Sequence, residues 1–286
     1  MTSFDALWDF NDPASTEQKF LELWLSFSNQ PNEQAELLTQ IARTRGLQRR
    51  FEEAHATLNE ALKLLELGSR AQVRYFLERG RVYRSSNEIE LAKPCFEQAF
   101  QLGSNLGEDT LTVDAAHMLA LVESGEMALE WSVRALELAR TSHDEKARAW
   151  KASLLNNIGW NLHTLGRFEE ALEHFQETVN VHEGNPTKQR IARWSVARVL
   201  RSSNKPQQAL ELQYELLRLL ETQEEADGYV HEEIAENLLM LDMPTEAATH
   251  FERAFELLSS DSGLQKSEPA RLVRLERLSH RNNSTY

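Results

Sequence analysis

The chain has 286 residues, 41% of them hydrophobic and 27% charged, which excludes a disordered polypeptide and leaves enough apolar material for a substantial core. Its 45 acidic and 31 basic side chains leave a net charge of −14, an acidic balance that argues against nonspecific nucleic-acid binding and against anionic membrane surfaces. Glycine (11) and proline (7) are scarce, strong helix formers dominate, and the single cysteine, Cys95, excludes an internal disulfide, so an all-helical fold is expected.

The start, Met1 to Asp5, lacks the basic and apolar regions of a signal peptide. No apolar stretch approaches the roughly 18–20 residues of a membrane span, so the expected compartment is the cytoplasm. Pro13 to Asn29 predicts one amphipathic helix with Phe20, Leu21, Trp24 and Leu25 on its apolar side. Beyond it a pattern recurs: a small residue, an alanine twelve positions later, and a large apolar residue four further on. It runs Ala42, Ala54, Leu58; then Gly80, Ala92, Phe96; then, more weakly, Ala116, Ala128, Ser132. It continues as Gly159, Ala171, Phe175; Ala197, Ala209; and Ala235, Ala247, Phe251. The anchor alanines 54, 92, 128, 171, 209 and 247 are separated by 38, 36, 43, 38 and 38 residues.

Each unit reads as two helices joined by a turn such as Leu165-Gly166-Arg167. The small residues let the paired backbones approach, and the larger side chains fill the space between pairs. One pair alone leaves apolar surface exposed, so the pairs must stack. Arg81-Val82-Tyr83-Arg84-Ser85-Ser86-Asn87 recurs as Arg198-Val199-Leu200-Arg201-Ser202-Ser203-Asn204, identical at six of seven positions. Its serines and asparagine are expected to form a corner that caps the following helix. Pro206 and Pro244 fall three residues before an anchor alanine, in a first helical turn, whereas Pro94 lies inside a second helix and predicts a lost hydrogen bond and a kink. Gly184-Asn185-Pro186 and Ala226-Asp227-Gly228 read as turns between units. Glu268 to Leu278 predicts a closing helix carrying Leu272, Val273, Leu275 and Leu278. The expected organisation is a single solenoid domain over 1–286: an N-terminal cap (1–30), six helix pairs (31–259), a C-terminal cap (260–280) and a disordered tail (281–286).

No metal, nucleophile, P-loop or dinucleotide signature is present, so no catalytic residue, metal or cofactor is expected. The nine histidines are scattered. Cys95 reads as a small buried hydrophobe, and Glu52-Glu53 and Glu169-Glu170 as first-turn carboxylates meeting a helix dipole.

From about Asn32 to Leu258 the units resemble the tetratricopeptide repeat family, most specifically over Gly159–Phe175, as a long-period variant of 36–43 residues per unit. The resemblance implies an all-α, right-handed α-α superhelix of about six helix pairs with capping helices at both ends. It also implies that the first helix of each pair lines a concave groove. Carried onto this sequence, the groove positions are Arg43, Arg81, Arg84, His117, Asn156, Trp160, His163, Trp194, Arg198 and Arg201, with Leu77, Glu232 and Glu236; Arg74 and Asn157 lie close by on the same faces. The family's carboxylate clamp of lysine and asparagine is not reproduced: Asn156, Asn157 and Asn161 cluster, but the lysines are missing.

Two readings of the arginines stay open. Either they face an open groove, or they pair with glutamates of neighbouring helices while Trp160 and Trp194 pack between repeats. The expected function is a non-enzymatic scaffold for another protein or peptide, acidic in character, acting as a monomer or weak homo-oligomer. The alternative is a regulatory or sensory solenoid that changes conformation on binding a small anionic ligand or signalling peptide.

Overall fold

The structure, a computed structural model, describes residues 4–280. Packing of the chain divides it into two compact units, Met1–Leu154 and Leu155–Tyr286.

The first unit opens with a 3-10 turn (Phe4–Leu7), α1 (Pro13–Glu22) and a second 3-10 turn (Trp24–Phe27). Helix pairs follow: α2 (Pro31–Leu47) with α3 (Phe51–Leu64), α4 (Arg70–Ser85) with α5 (Ile89–Leu106), and α6 (Asp109–Val122) with α7 (Gly125–Thr141). A one-turn helix, α8 (Glu145–Arg148), comes next, and α9 (Lys151–Thr164) contains the division between the units. In the second unit α9 pairs with α10 (Phe168–Val181), α11 (Pro186–Ser202) with α12 (Pro206–Thr222), and α13 (Gly228–Met240) with α14 (Pro244–Leu258). The short α15 (Ser262–Ser267) and α16 (Pro269–Ser279) close it. No strand occurs among the described residues. The 43-residue spacing between Ala128 and Ala171 is explained by α8, an extra turn between the third and fourth pairs.

The repeat pattern maps onto packing as its spacing requires. Ala54, Leu58 and Ala61, Ala92, Phe96 and Ala99, and Ala247, Phe251 and Ala254 are all fully buried. A Cβ on Gly80 would lie 2.5 Å from the Phe96 ring, and one on Gly159 would lie 2.6 Å from Phe175. The small residue and the aromatic sixteen positions on are therefore one contact: the ring fills the space that a side chain on the bare helix backbone would need.

The turns inside the pairs share a second device. Arg49, Asn87, Gly166, Asn204 and Asp242 all take positive φ, each five residues before its anchor alanine. The next residue's N–H reaches back to the helix end, as in Glu88 to Tyr83 O (2.8 Å), Arg167 to Leu162 O (2.9 Å) and Lys205 to Leu200 O (2.9 Å). This left-handed C-terminal cap satisfies carbonyls the helix leaves unpaired. The repeated Ser-Ser-Asn thus caps the helix before it, not the one after it. Asn87 and Asn204 supply the left-handed residue, while Ser86 and Ser203 donate to carbonyls of their own helices.

At the N-terminus the single helix expected over Pro13–Asn29 ends at Glu22 and continues as the Trp24–Phe27 turn. That turn carries Phe27 inward against Phe4 (5.7 Å), which also meets Phe20, so Leu25 is left 80% exposed. At the C-terminus Leu272, Leu275 and Leu278 are buried on α16 while Val273 faces solvent. Pro206 and Pro244 stand at the first positions of α12 and α14, and α5 runs through Pro94. The tail expected at 281–286 lies outside the described residues.

Candidate functional site

The first helices carry the residues singled out by the repeat, and they are tied to one another by ion pairs one repeat apart. In the first unit Arg74 is almost wholly buried, between Glu36 and Asp5 (both 3.0 Å). Arg81 is held by Glu78 (2.6 Å) and by both oxygens of Asp114. In the second unit Arg201 makes a two-pronged contact with Glu233 (2.7 and 2.9 Å), and Arg198 approaches the same carboxylate at 3.3 Å. Arg271 and Arg274 of α16 pair with Glu232 and Glu236 of α13 in the same manner. Fork geometry and partial burial make these charge-assisted bonds, and removing one partner would strand a buried charge.

Arg43 and Arg84 stand apart. The Arg43 guanidinium lies over Trp8 and Phe10 (5.2 Å each), with Glu78 3.5 Å away and no hydrogen bond to any acceptor among the described residues. Burial, with Arg81 nearby, lowers its pKa. Arg84 is exposed and has no carboxylate within ion-pair distance among the described residues. Both arginines, with Arg81, line a cleft of about 200 Å³ whose other walls include Leu47, Val82 and Met118. His117 lies beside Trp150 (5.3 Å), and burial pushes its pKa down, so at neutral pH it adds no charge.

The second unit has an aromatic row. Trp160 on α9 meets Trp194 on α11 (6.3 Å), which meets Tyr229 on α13 (6.5 Å), and all three rings are half-buried. Trp194 Nε1 donates to the Tyr229 carbonyl (3.3 Å), and Trp160 rests edge-on against Phe175 (5.0 Å). His163 Nε2 and Ser202 Oγ are 2.8 Å apart, and burial, with Arg198 and Arg201 close by, lowers the His163 pKa. Asn156 and Asn157 are half-buried on α9.

The site residues named from sequence therefore fall into two groups, Arg43, Arg74, Arg81, Arg84 and His117 in one unit and Asn156 to Arg201 in the other. Sequence reasoning missed the acceptors Glu78, Asp114 and Glu233, the third ring Tyr229, and Ser202 as the partner of His163. A signal was available: Asp114 follows Arg81 by 33 residues and Glu233 follows Arg201 by 32, close to one repeat. Among the described residues no three His, Cys, Asp or Glu side chains converge as a metal site, and no helix is long and apolar enough to cross a membrane. Cys95 is half-buried, with burial raising its thiol pKa and Leu91 O accepting from it at 3.3 Å.

Sequence profiles of the tetratricopeptide repeat match residues 110–184 and 73–103. No curated protein sequence matches the chain. Among solved structures, the apo form of the quorum sensor NprR from B. thuringiensis aligns with a TM-score of 0.61 at 15% identity, over 94% of this chain and 82% of that one. Apo RapI aligns at 0.62 with 18% identity, over 85% and 95%. The APC/C Cut9–Hcn1 assembly aligns at 0.60 with 15% identity, over 97% of this chain but 48% of the matched one, so the chain spans about half of that relative. NprR is also known in complex with its cognate peptide NprX, a structure that aligns at 0.55 with 16% identity, over 99% of this chain and 84% of that one. At these identities the likenesses speak for the fold alone. Paired helices with the small–alanine–aromatic spacing, and profiles that match residues 73–103 and 110–184, show that the chain carries tetratricopeptide repeats over that stretch, and the solved structures share the fold beyond it.

Proposed function

We propose that the chain is a non-catalytic scaffold that binds a peptide or protein segment of acidic character along its first helices, in the cytoplasm, as a monomer or weak homo-oligomer. The observation that carries this reading is the half-buried row Trp160, Trp194 and Tyr229, with Arg198 and Arg201 sharing the single carboxylate of Glu233. Rigid aromatic surface beside guanidinium donors is the composition of binding hot spots. Arg198 keeps 30% of its side-chain surface and points to acidic residues in the partner. The peptide complex of NprR supports the reading, since that protein shares this architecture.

Panning a random-peptide display library on the folded chain tests it. Acidic sequences should be enriched, and their affinity should fall with added salt because exposed guanidiniums act through screened attraction. Trp160→Ala should weaken the selected peptides by about tenfold or more, and Arg198→Gln by less, with helicity by circular dichroism unchanged. Equal binding by both variants would remove the aromatic row from the binding surface.

A regulatory form of the same reading is favoured by the sharing of Glu233, because a ligand carboxylate could replace it on Arg198 and alter the tie between α11 and α13. Small-angle scattering with and without the selected peptide distinguishes it: a change in radius of gyration supports the switch, and superimposable curves support a rigid scaffold.

A further inference from the structure

The segment from Phe4 to Asp12 reaches further than a cap requires. It holds three aromatic rings, Phe4, Trp8 and Phe10, and three carboxylates, Asp5, Asp9 and Asp12, with no basic side chain. Phe4 is buried against Phe20 and Phe27, which closes the apolar end of the first helix pair. Asp5 and Phe10 add nothing to that closure. Asp5 reaches over the first helices instead, one carboxylate oxygen accepting from Arg74 on α4 (3.0 Å) and the other from Lys146 on α8 (2.7 Å), 69 and 141 residues further along the chain. Phe10 stacks on Trp8 (4.8 Å) with 58% of its surface exposed, and the Arg43 guanidinium of α2 lies over both rings.

Arg43 and Arg74 are residues that the repeat places on or beside the ligand-facing side of the first helices. Aspartate and aromatic rings seated on guanidiniums have the chemistry proposed above for the partner, so the chain carries a segment of that kind on its own first unit. The contacts at its edge are individually weak. Asp5 and Lys146 keep 39% and 55% of their side-chain surface in solvent, and ion pairs and ring–cation contacts so exposed are screened and contribute little each. The segment holds its place through covalent attachment, which keeps its local concentration high. Phe4 in the cap, and the bonds between Asp9 and Thr16 (3.0 and 3.1 Å), tether it beside α1. We infer that Phe4–Asp12 is a built-in competitor, a strap over the arginine face of the first unit that is displaced by a partner segment carrying carboxylates beside aromatic rings. The inference rests on reading the first helices as the binding surface, and it supplies the regulation of that surface in a different unit from the aromatic row.

Fluorescence anisotropy on the full chain tests it, with a labelled peptide of the sequence Phe4–Asp12 as probe and the same peptide with asparagine for each aspartate as control. The wild type should bind the probe weakly. The double variant Asp5→Asn/Phe10→Ala changes exposed side chains and keeps Phe4, and it should bind the probe at least about tenfold more tightly because less of the face is occupied. The control peptide should bind that variant at least about tenfold more weakly than the probe does. The second readout is amide exchange in isotope-labelled wild type: saturating unlabelled probe should speed exchange from Asp5 to Phe10 and leave α1 protected. Should the variant lose helicity, this measurement on the wild type decides alone. Equal affinity of wild type and variant, no binding to either, equal binding of the control, or unchanged exchange at saturation overturns the strap. Library peptides that need Trp160 yet leave the exchange of Asp5–Phe10 unchanged would keep the scaffold and remove the strap. A strap displaced by its own sequence, with no dependence of any selected peptide on Trp160, would keep the strap and remove the aromatic row.

Discussion

Single residues set the closeness of the helix pairs. Gly159 and Gly80 are bare because Phe175 and Phe96 occupy the volume a methyl group would need. Gly159→Ala gains up to about 1 kcal/mol of helix propensity but forces a packed ring to move, which costs about 1–3 kcal/mol, so a net loss is expected. Gly46 is the control, because a Cβ there meets Val82 at 3.5 Å, an ordinary contact. In urea denaturation Gly46→Ala should leave the midpoint level or higher, while Gly159→Ala lowers it. Equal effects of the two changes would show that the ring contact does not set the spacing.

Helix ends obey a rule that the side chains partly hide. Five of the six turns within pairs place a positive-φ residue five positions before the anchor alanine, yet the residues there are Arg49, Asn87, Gly166, Asn204 and Asp242. A left-handed backbone costs a side-chain-bearing residue about 1 kcal/mol, least for asparagine and aspartate. Arg49, exposed and strained, should therefore gain about 0.5–1 kcal/mol on replacement by glycine, whereas Gly166→Ala should lose a similar amount. Thermal melts of the two variants check the pair, and a destabilised Arg49→Gly would contradict the cap. The helix pairs were legible in the sequence because the small–alanine–aromatic spacing is a direct image of packing, as Gly80 with Phe96 demonstrates. The corner at Ser85–Asn87 was seen but assigned to the wrong helix, since serine and asparagine favour N-caps and left-handed C-caps alike. The partners of the arginines were not legible at the level of one helix. Glu78 and Asp114 meet Arg81 from its own helix and the next repeat, and only the register between helices chooses between them and solvent.

Across the whole molecule, half-buried imidazoles create an acid sensitivity. His231 is pushed down to about 4 by burial and by His250 and Arg253, and its Nδ1 lies 3.0 Å from that of His250. Burial also lowers His55, His117, His163 and His250. A histidine whose folded pKa lies below its ordinary 6.5 stabilises the fold above that value, and the contribution drains away as pH falls from 6.5 toward about 4, because the unfolded chain binds the extra protons. The melting temperature should therefore fall through this window, before most carboxylates protonate, and His231→Asn should flatten the descent. A melting temperature constant between pH 7 and 5 would exclude the effect.

The rungs from Arg81 to Asp114 and from Arg201 to Glu233 span nearly the same length of chain as the repeat itself. Such a ladder tolerates the loss of a unit only where the next unit repeats the acid. Without α4–α5, Arg43 would meet Asp114, which stands two residues before Ala116 as Glu78 stands two before Gly80. Without α6–α7, the corresponding place opposite Arg81 would be held by Asn157, and the rung would lose its charge. The order of the units, as well as their number, is therefore written into the chain.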